Sequence, residues 1–161
     1  MPQLYVIRHC EPTMTGVLLG QCDPPLSEPG RAHAAALLAG IELKAVYSSP
    51  LRRALETAEA IARGARITII DDLREITYGA WDGRTWVEIE AAEPGLAARK
   101  LLDWTGVTSP GGESWPSFAA RVTRAFEQLR NGPRPAAVVG HAAVNQVLCG
   151  IDQPYGGIYE L

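Results

Sequence analysis

Apolar residues in this chain gather in short runs that stop abruptly at polar or charged positions, and between the runs they recur at helical spacing. Gln3 to Ile7 is rich in Val, Ile and Tyr and ends on Arg8, the pattern of a buried strand. After a Pro/Gly-rich loop, Ser27-Glu28-Pro29 predicts a helix start with a capping serine and an early proline; Ala34 to Leu38 carry its apolar face and Gly40 stops it. Lys44 to Tyr47 predicts a second strand, and Ser48-Ser49-Pro50 the exit loop and N-cap of a helix running to about Arg63. Arg66 to Ile70 predicts a third strand. From Ser114 to Leu129, Phe118, Val122, Phe126 and Leu129 lie at helical intervals, and Asn131-Gly132-Pro133 ends that helix. Ala136 to Val139 is a continuous apolar strand, followed by Gly140-His141, a helix through Leu148 and a terminal strand within Gly157 to Leu161.

Strands alternating with helices predict an α/β fold, a three-layer α/β/α sandwich with a mainly parallel central sheet. The stretch from Trp81 to Trp115 breaks this rhythm: it holds all four tryptophans, several Gly and Pro, and only short helical patches. It reads as a small lid excursion, about residues 81–115, over the sheet edge. No internal repeat or low-complexity segment interrupts the chain, and 161 residues suit one domain, 1–161.

Composition narrows the function classes. A net charge of −3 supplies no basic field for a phosphate backbone, so nucleic acid is not an expected partner. No apolar stretch approaches the roughly 18 residues of a membrane span, and the N-terminal residues lack a signal-peptide pattern. Cys10, Cys22 and Cys149 are odd in number and lack zinc or disulfide spacing, so no metal is expected and a reducing, cytoplasmic setting is. Of the 15 basic residues only Lys44 and Lys100 are lysines, so cationic chemistry here means guanidinium, the planar fork suited to phosphate or carboxylate. A GC-rich genome produces the same bias, so position has to decide.

In parallel sheets ligands bind beyond the carboxyl ends of the strands. The residues there are polar: Arg8, His9 and Glu11 after the first strand, Ser48, Ser49, Arg52 and Arg53 after the second, Arg74 and Glu75 after the third, Gly140 and His141 after the fourth. A single histidine is more often a packed or surface imidazole than a catalyst, but two of three histidines follow strands and converge with arginines. Two histidines, arginines and a carboxylate suit phosphoryl transfer, which needs positive charge around three equatorial oxygens and groups in line on either side. A neutral imidazole nitrogen is a competent nucleophile near pH 7.

The run Arg8-His9-Cys10-Glu11, with Asp23-Pro24-Pro25-Leu26-Ser27 and Gly30, resembles the opening of the histidine phosphatase (phosphoglycerate mutase-like) superfamily. Ser49-Pro50-Leu51-Arg52-Arg53-Ala54 with Thr57-Ala58, then Leu73-Arg74-Glu75 with Tyr78-Gly79, Trp81 and Gly83, then Gly111-Gly112-Glu113-Ser114 and Val139-Gly140-His141, are similar to its later motifs, in family order. The resemblance implies that His9 becomes the phosphohistidine, that Arg8, Arg53 and His141 hold the phosphoryl oxygens, and that Glu75 is the general acid and then base. Arg53 matches the family's arginine because it directly precedes Ala54; Arg52 falls to the rim.

The chain departs from the family pattern in two places. Cys10 stands where Gly is usual, which raises the prospect of a strained turn or a buried inert thiol. In the following loop Thr15 and Val17 stand near the usual Asn and Arg; Thr15 retains one hydrogen bond for substrate, and a cation is lost at Val17. That loss, with the short lid, favours a phosphatase over a phosphoglycerate mutase. The expected substrate is a small phosphorylated metabolite, alpha-ribazole phosphate-like or a sugar phosphate, with no cofactor. The four tryptophans are expected to anchor the lid, a stacking wall for an organic leaving group being the alternative. A phosphoglycerate mutase, a catalytically inactive binder of phosphorylated ligands and a metal hydrolase are the competing readings; oligomeric state is not legible.

Overall fold

The structure, a computed structural model, describes residues 3–161. Its strands are β1 (Leu4–Arg8), β2 (Ala45–Ser48), β3 (Arg66–Ile69), β4 (Ala136–Gly140) and β5 (Ile158–Glu160). Its helices are α1 (Glu28–Ala36), α2 (Arg52–Ala62), α3 (Trp86–Ala92), α4 (Pro94–Leu102), α5 (Trp115–Leu129) and α6 (Ala142–Cys149). The sheet runs β3-β2-β4-β1-β5; its first four strands are parallel and β5 is antiparallel to β1.

The period-2 alternation of a strand buried on both faces explains the layers. Leu4, Val6, Ala45, Tyr47, Ala136 and Val138 point to one face, where Phe118, Val122, Ala125 and Leu129 of α5 and Ala143 and Val144 of α6 cover them. Tyr5, Ile7, Val46, Ala137 and Val139 point to the other, under Ala34 of α1 and Ala54, Ala58 and Ile61 of α2. This is the α/β/α sandwich expected. The excursion forms α3 and α4 around buried Trp81, Ile89 and Ala97, with Leu18, Tyr78, Trp86 and Leu96 against them.

Local differences have physical causes. Helix α1 ends at Ala36 rather than near Gly40, because the Arg63 guanidinium, at the end of α2, donates to the carbonyls of Ala35, Leu37 and Leu38 and caps it from outside. Ser49 does not cap α2, whose N-cap is Leu51 with no side-chain bond; the Ser49 hydroxyl accepts from the Leu51 amide in the turn and faces His141. Gly79 has φ +58 and its Cα lies so near the Gly111 backbone that a Cβ would sit 2.3 Å from it, so only glycine lets the Tyr78–Trp81 turn close on that loop.

Register sets up the site. Arg8 pairs with Gly140, and Ser48 with Val139, so β1, β4 and β2 end level. The next amides continue the ladder: His9 N donates to Gly140 O at 3.1 Å and Ser49 N to Val139 O at 3.1 Å. His9, His141 and Ser49 therefore emerge side by side.

Candidate active site

Arg8, His9, Arg53 and Glu75 line one cavity of about 170 Å³ beyond these strand ends. His141 stands beside it, its ring centroid 5.2 Å from that of His9. Five residues named from sequence thus converge. The sixth does not: Thr15 is exposed on its loop and does not line the cavity, whereas Val17, Leu18 and Leu19 do. Leu18 N donates to Arg84 O at 3.0 Å and Gly83 N to Leu18 O at 2.6 Å, and these bonds to the lid turn residues 17–19 inward. Three further residues that follow strands also stay out. Glu11 accepts from the Ser27 hydroxyl, exposed Arg52 pairs with Glu56, and Arg74 pairs with Asp71.

His9 is almost wholly buried, and its Nδ1 lies 2.7 Å from the Cys10 carbonyl, a bond only a protonated Nδ1 can make. Nε2 is then the lone-pair nitrogen, and Arg53 Nε donates to it at 3.3 Å. Burial, then the Arg53 charge, lower the His9 pKa to about 3, so the imidazole is neutral at physiological pH. Cys10 is fully buried, donates its amide to the Thr57 hydroxyl, and is absent from the positive-φ residues, so the position does not need glycine. Burial pushes its thiol up to about 11, which makes it an inert thiol rather than a redox centre.

Arg53, 1% exposed, is aimed by carbonyls: Nη1 donates to Cys22 O at 2.6 Å and Nη2 to Gly20 O at 2.9 Å. Arg8 Nη1 donates to Gln153 O at 2.7 Å, its guanidinium lies 4.3 Å over the Tyr155 ring, and its buried Nε has no protein partner. His141 places Nε2 at 2.8 Å from Ser49 Oγ and leaves buried Nδ1 unpartnered; burial and then Arg53 hold its pKa well below the usual value. Two unpartnered buried nitrogens in a cationic recess are what an anion would satisfy.

Glu75 accepts from Ile76 N at 3.1 Å and from Ala143 N, in the first turn of α6, at 3.2 Å. Desolvation outweighs these bonds and the charges of Arg53 and Arg8, and raises its pKa above the ordinary carboxyl value. The cavity therefore pairs an imidazole shifted towards its neutral form with a carboxyl shifted towards its protonated form, the opposed shifts that suit a nucleophile and an acid.

Three contributors have no motif in the sequence. Arg121 of α5 forms a bidentate pair with Glu113, at 2.7 and 2.9 Å, and donates to the carbonyls of Asp72, Arg74 and Glu75, so it holds the loop that carries the acid. Its only sequence sign is an arginine on the apolar face of α5, between Phe118 and Val122. Gln153 and Tyr155 lie on the strap between α6 and β5, beyond any periodic pattern. None of the four tryptophans lines the cavity; Trp81, Trp86 and Trp104 stack within the lid and Trp115 packs on Phe118, so they are anchors, and the aromatic wall comes from Tyr78 and Tyr155.

An imidazole with a free Nε2 lone pair under a guanidinium, with a buried carboxyl in the same cavity at the ends of parallel strands, is an arrangement suited to passing a phosphoryl group through nitrogen. The histidine phosphatase superfamily (branch 1) matches residues 4–152, and the chain belongs to that family. It is 35% identical to a bifunctional protein of Mycobacterium tuberculosis over 99% of this chain, but spans only 47% of that relative. It is 33% identical to phosphoserine phosphatase 1 of Hydrogenobacter thermophilus, across 94% of this chain and 78% of the relative. Mycobacterial glucosyl-3-phosphoglycerate phosphatase superposes with a TM-score of 0.82 at 28% identity, covering 99% of this chain and 89% of that one. No helix among the described residues is long and apolar enough to cross a membrane.

Proposed function

We propose that the chain hydrolyses phosphate monoesters of small metabolites through a phosphohistidine at His9, without a metal. The observation that carries this is the hydrogen bond from His9 Nδ1 to the Cys10 carbonyl, which leaves the Nε2 lone pair for phosphorus. In the first step Nε2 attacks phosphorus as the ester P–O bond breaks, and Glu75 delivers its proton to the leaving oxygen. Arg53 turns from the imidazole to the phosphoryl oxygens, joined by Arg8 and by His141 Nδ1–H, a tautomer set by the Ser49 hydroxyl donating to Nε2. In the second step the Glu75 carboxylate takes a proton from water, the water oxygen attacks phosphorus, and the P–N bond breaks to release inorganic phosphate.

The named relatives that hydrolyse phosphate esters support this reading, as does the small size of the lid, since keeping water from the phosphoenzyme would call for a longer insertion. The test is a panel of phosphate monoesters, with EDTA present, on the wild type and His9→Ala, with trapping of an acid-labile, base-stable phosphoprotein. Turnover and trapping are expected in the wild type alone. Full turnover by His9→Ala overturns the mechanism, loss of turnover on chelation overturns metal independence, and conversion of primed 3-phosphoglycerate to 2-phosphoglycerate without free phosphate overturns the hydrolase reading.

A further inference from the structure

Beyond the phosphate-holding groups, the cavity wall consists of Val17, Leu18, Leu19, Tyr78, Ala142 and Tyr155. Among the described residues that line it, the cations are Arg8 and Arg53 alone. Both are committed to the phosphoryl group, whose two negative charges they balance. Arg121 and Arg74, on the elements that carry Glu75, are already neutralised by Glu113 and Asp71, and Arg84, which bonds Leu18 through its carbonyl, does not line the cavity. A carboxylate on the leaving group would lose water against apolar side chains and find no uncommitted cation among the residues that line the cavity.

The wall beside the nucleophile is also rigid. Tyr155 lies against His9, ring centroids 5.7 Å apart, as well as beneath Arg8. Its strap is fixed on both sides: Gly156 N donates to the carbonyls of Arg8 and His9 at 3.0 and 3.1 Å, Gln153 Nε2 donates to Val6 O at 3.0 Å, and Asn145 Nδ2 donates to Gln153 Oε1 at 2.7 Å. The 170 Å³ cavity has to hold the phosphoryl group as well, and one benzene ring alone takes roughly 150 Å³. A group on the ester oxygen therefore meets a fixed aromatic face in a space no larger than about one ring.

We propose that the site is specific for monophosphates of small uncharged alcohols or phenols with an apolar or planar group next to the ester oxygen, that Val17 and Tyr155 set this preference, and that monoesters bearing a carboxylate are disfavoured. The inference rests on the phosphatase reading above. It separates this chain from relatives named for phosphoserine and a phosphoglycerate, both carboxylates.

The experiment compares kcat/KM for phenyl phosphate and 4-carboxyphenyl phosphate, whose carboxylate does not worsen the phenoxide as a leaving group. Phenyl phosphate is expected to be favoured at least about tenfold in the wild type. Val17→Arg, checked for an unchanged unfolding midpoint, is expected to shrink that ratio at least about fivefold by restoring a cation to the wall. Equal or preferred hydrolysis of the carboxylated ester by the wild type, with a phosphoprotein trapped at His9, overturns this inference alone. An unchanged ratio in folded Val17→Arg overturns the role of Val17. Failure to turn over either ester, with no phosphoprotein, overturns the phosphatase reading and this inference with it.

Discussion

Arg121→Lys keeps the charge of Arg121 but removes the fork that spans Glu113 and three carbonyls. In the native site the Arg121–Glu113 side chains are 13% and 16% exposed, so the pair is mostly desolvated. Breaking a fully buried pair costs ~3–5 kcal/mol. Lysine can still reach Glu113 with one point charge, and water reaches part of the pair, so about 2–3 kcal/mol of stability is expected to go, read as a lower urea midpoint at unchanged slope. The larger consequence is positional. Arg121 touches no reacting atom; it ties Asp72, Arg74 and Glu75 to α5 through their carbonyls. Releasing them lets the Glu75 carboxyl drift from the leaving oxygen, and a displacement of ~1 Å can cost about a hundredfold. That loss depends on the leaving group, because p-nitrophenoxide departs almost without a proton and an alkoxide does not. Measured as kcat/KM, which reports steps through phosphoenzyme formation, Arg121→Lys is expected to lose about 30–100-fold on benzyl phosphate and about threefold or less on p-nitrophenyl phosphate. Glu75→Gln should show the same asymmetry, more strongly. Equal losses on both esters would refute a role through the acid and leave only a structural one.

Three further outcomes follow from groups whose burial is already described. His9 and His141 have folded pKa values below the unfolded 6.5, so the native state binds fewer protons than the unfolded chain and stability falls as pH drops below about 6.5, towards about 3 for His9. Each contributes a slope of roughly 1.4 kcal/mol per pH unit; urea unfolding at pH 7, 6 and 5 should show it, and an unaltered slope in His9→Gln would contradict the burial argument. Cys10→Gly should keep kcat within about twofold, because the backbone there is not left-handed, and lose about 1 kcal/mol of stability to lost packing and added chain entropy. In the native wild type, a thiol reagent should label Cys22 and Cys149 before fully buried Cys10.

What was legible in the sequence and what was not divides along a physical line. The convergence of Arg8, His9, Arg53, Glu75 and His141 could be anticipated because they are chemically distinctive residues placed directly after apolar strands or in matching motifs, and the fold brings them together. Thr15 was misplaced because the path of its loop is decided by main-chain bonds from Leu18 to Gly83 and Arg84, partners far away in sequence. Ser49 looked like a helix cap because Ser-Pro before an amphipathic run is a start signal, yet its hydroxyl faces His141, which comes from another strand. Arg63 and Arg121 act on carbonyl oxygens, and every residue has a carbonyl, so no residue type marks their partners. Tyr155 stands on a strap after the last helix, where neither a period of 2 nor one of 3.6 applies. Groups that meet substrate are constrained in type and leave a signature, whereas groups that aim them work through the backbone and leave almost none. The proposed substrate preference falls across that line: Val17 carries a sign in the sequence, a missing cation, whereas Tyr155 is an ordinary residue until the strap sets it against His9, and only the cavity lining puts the two on one wall.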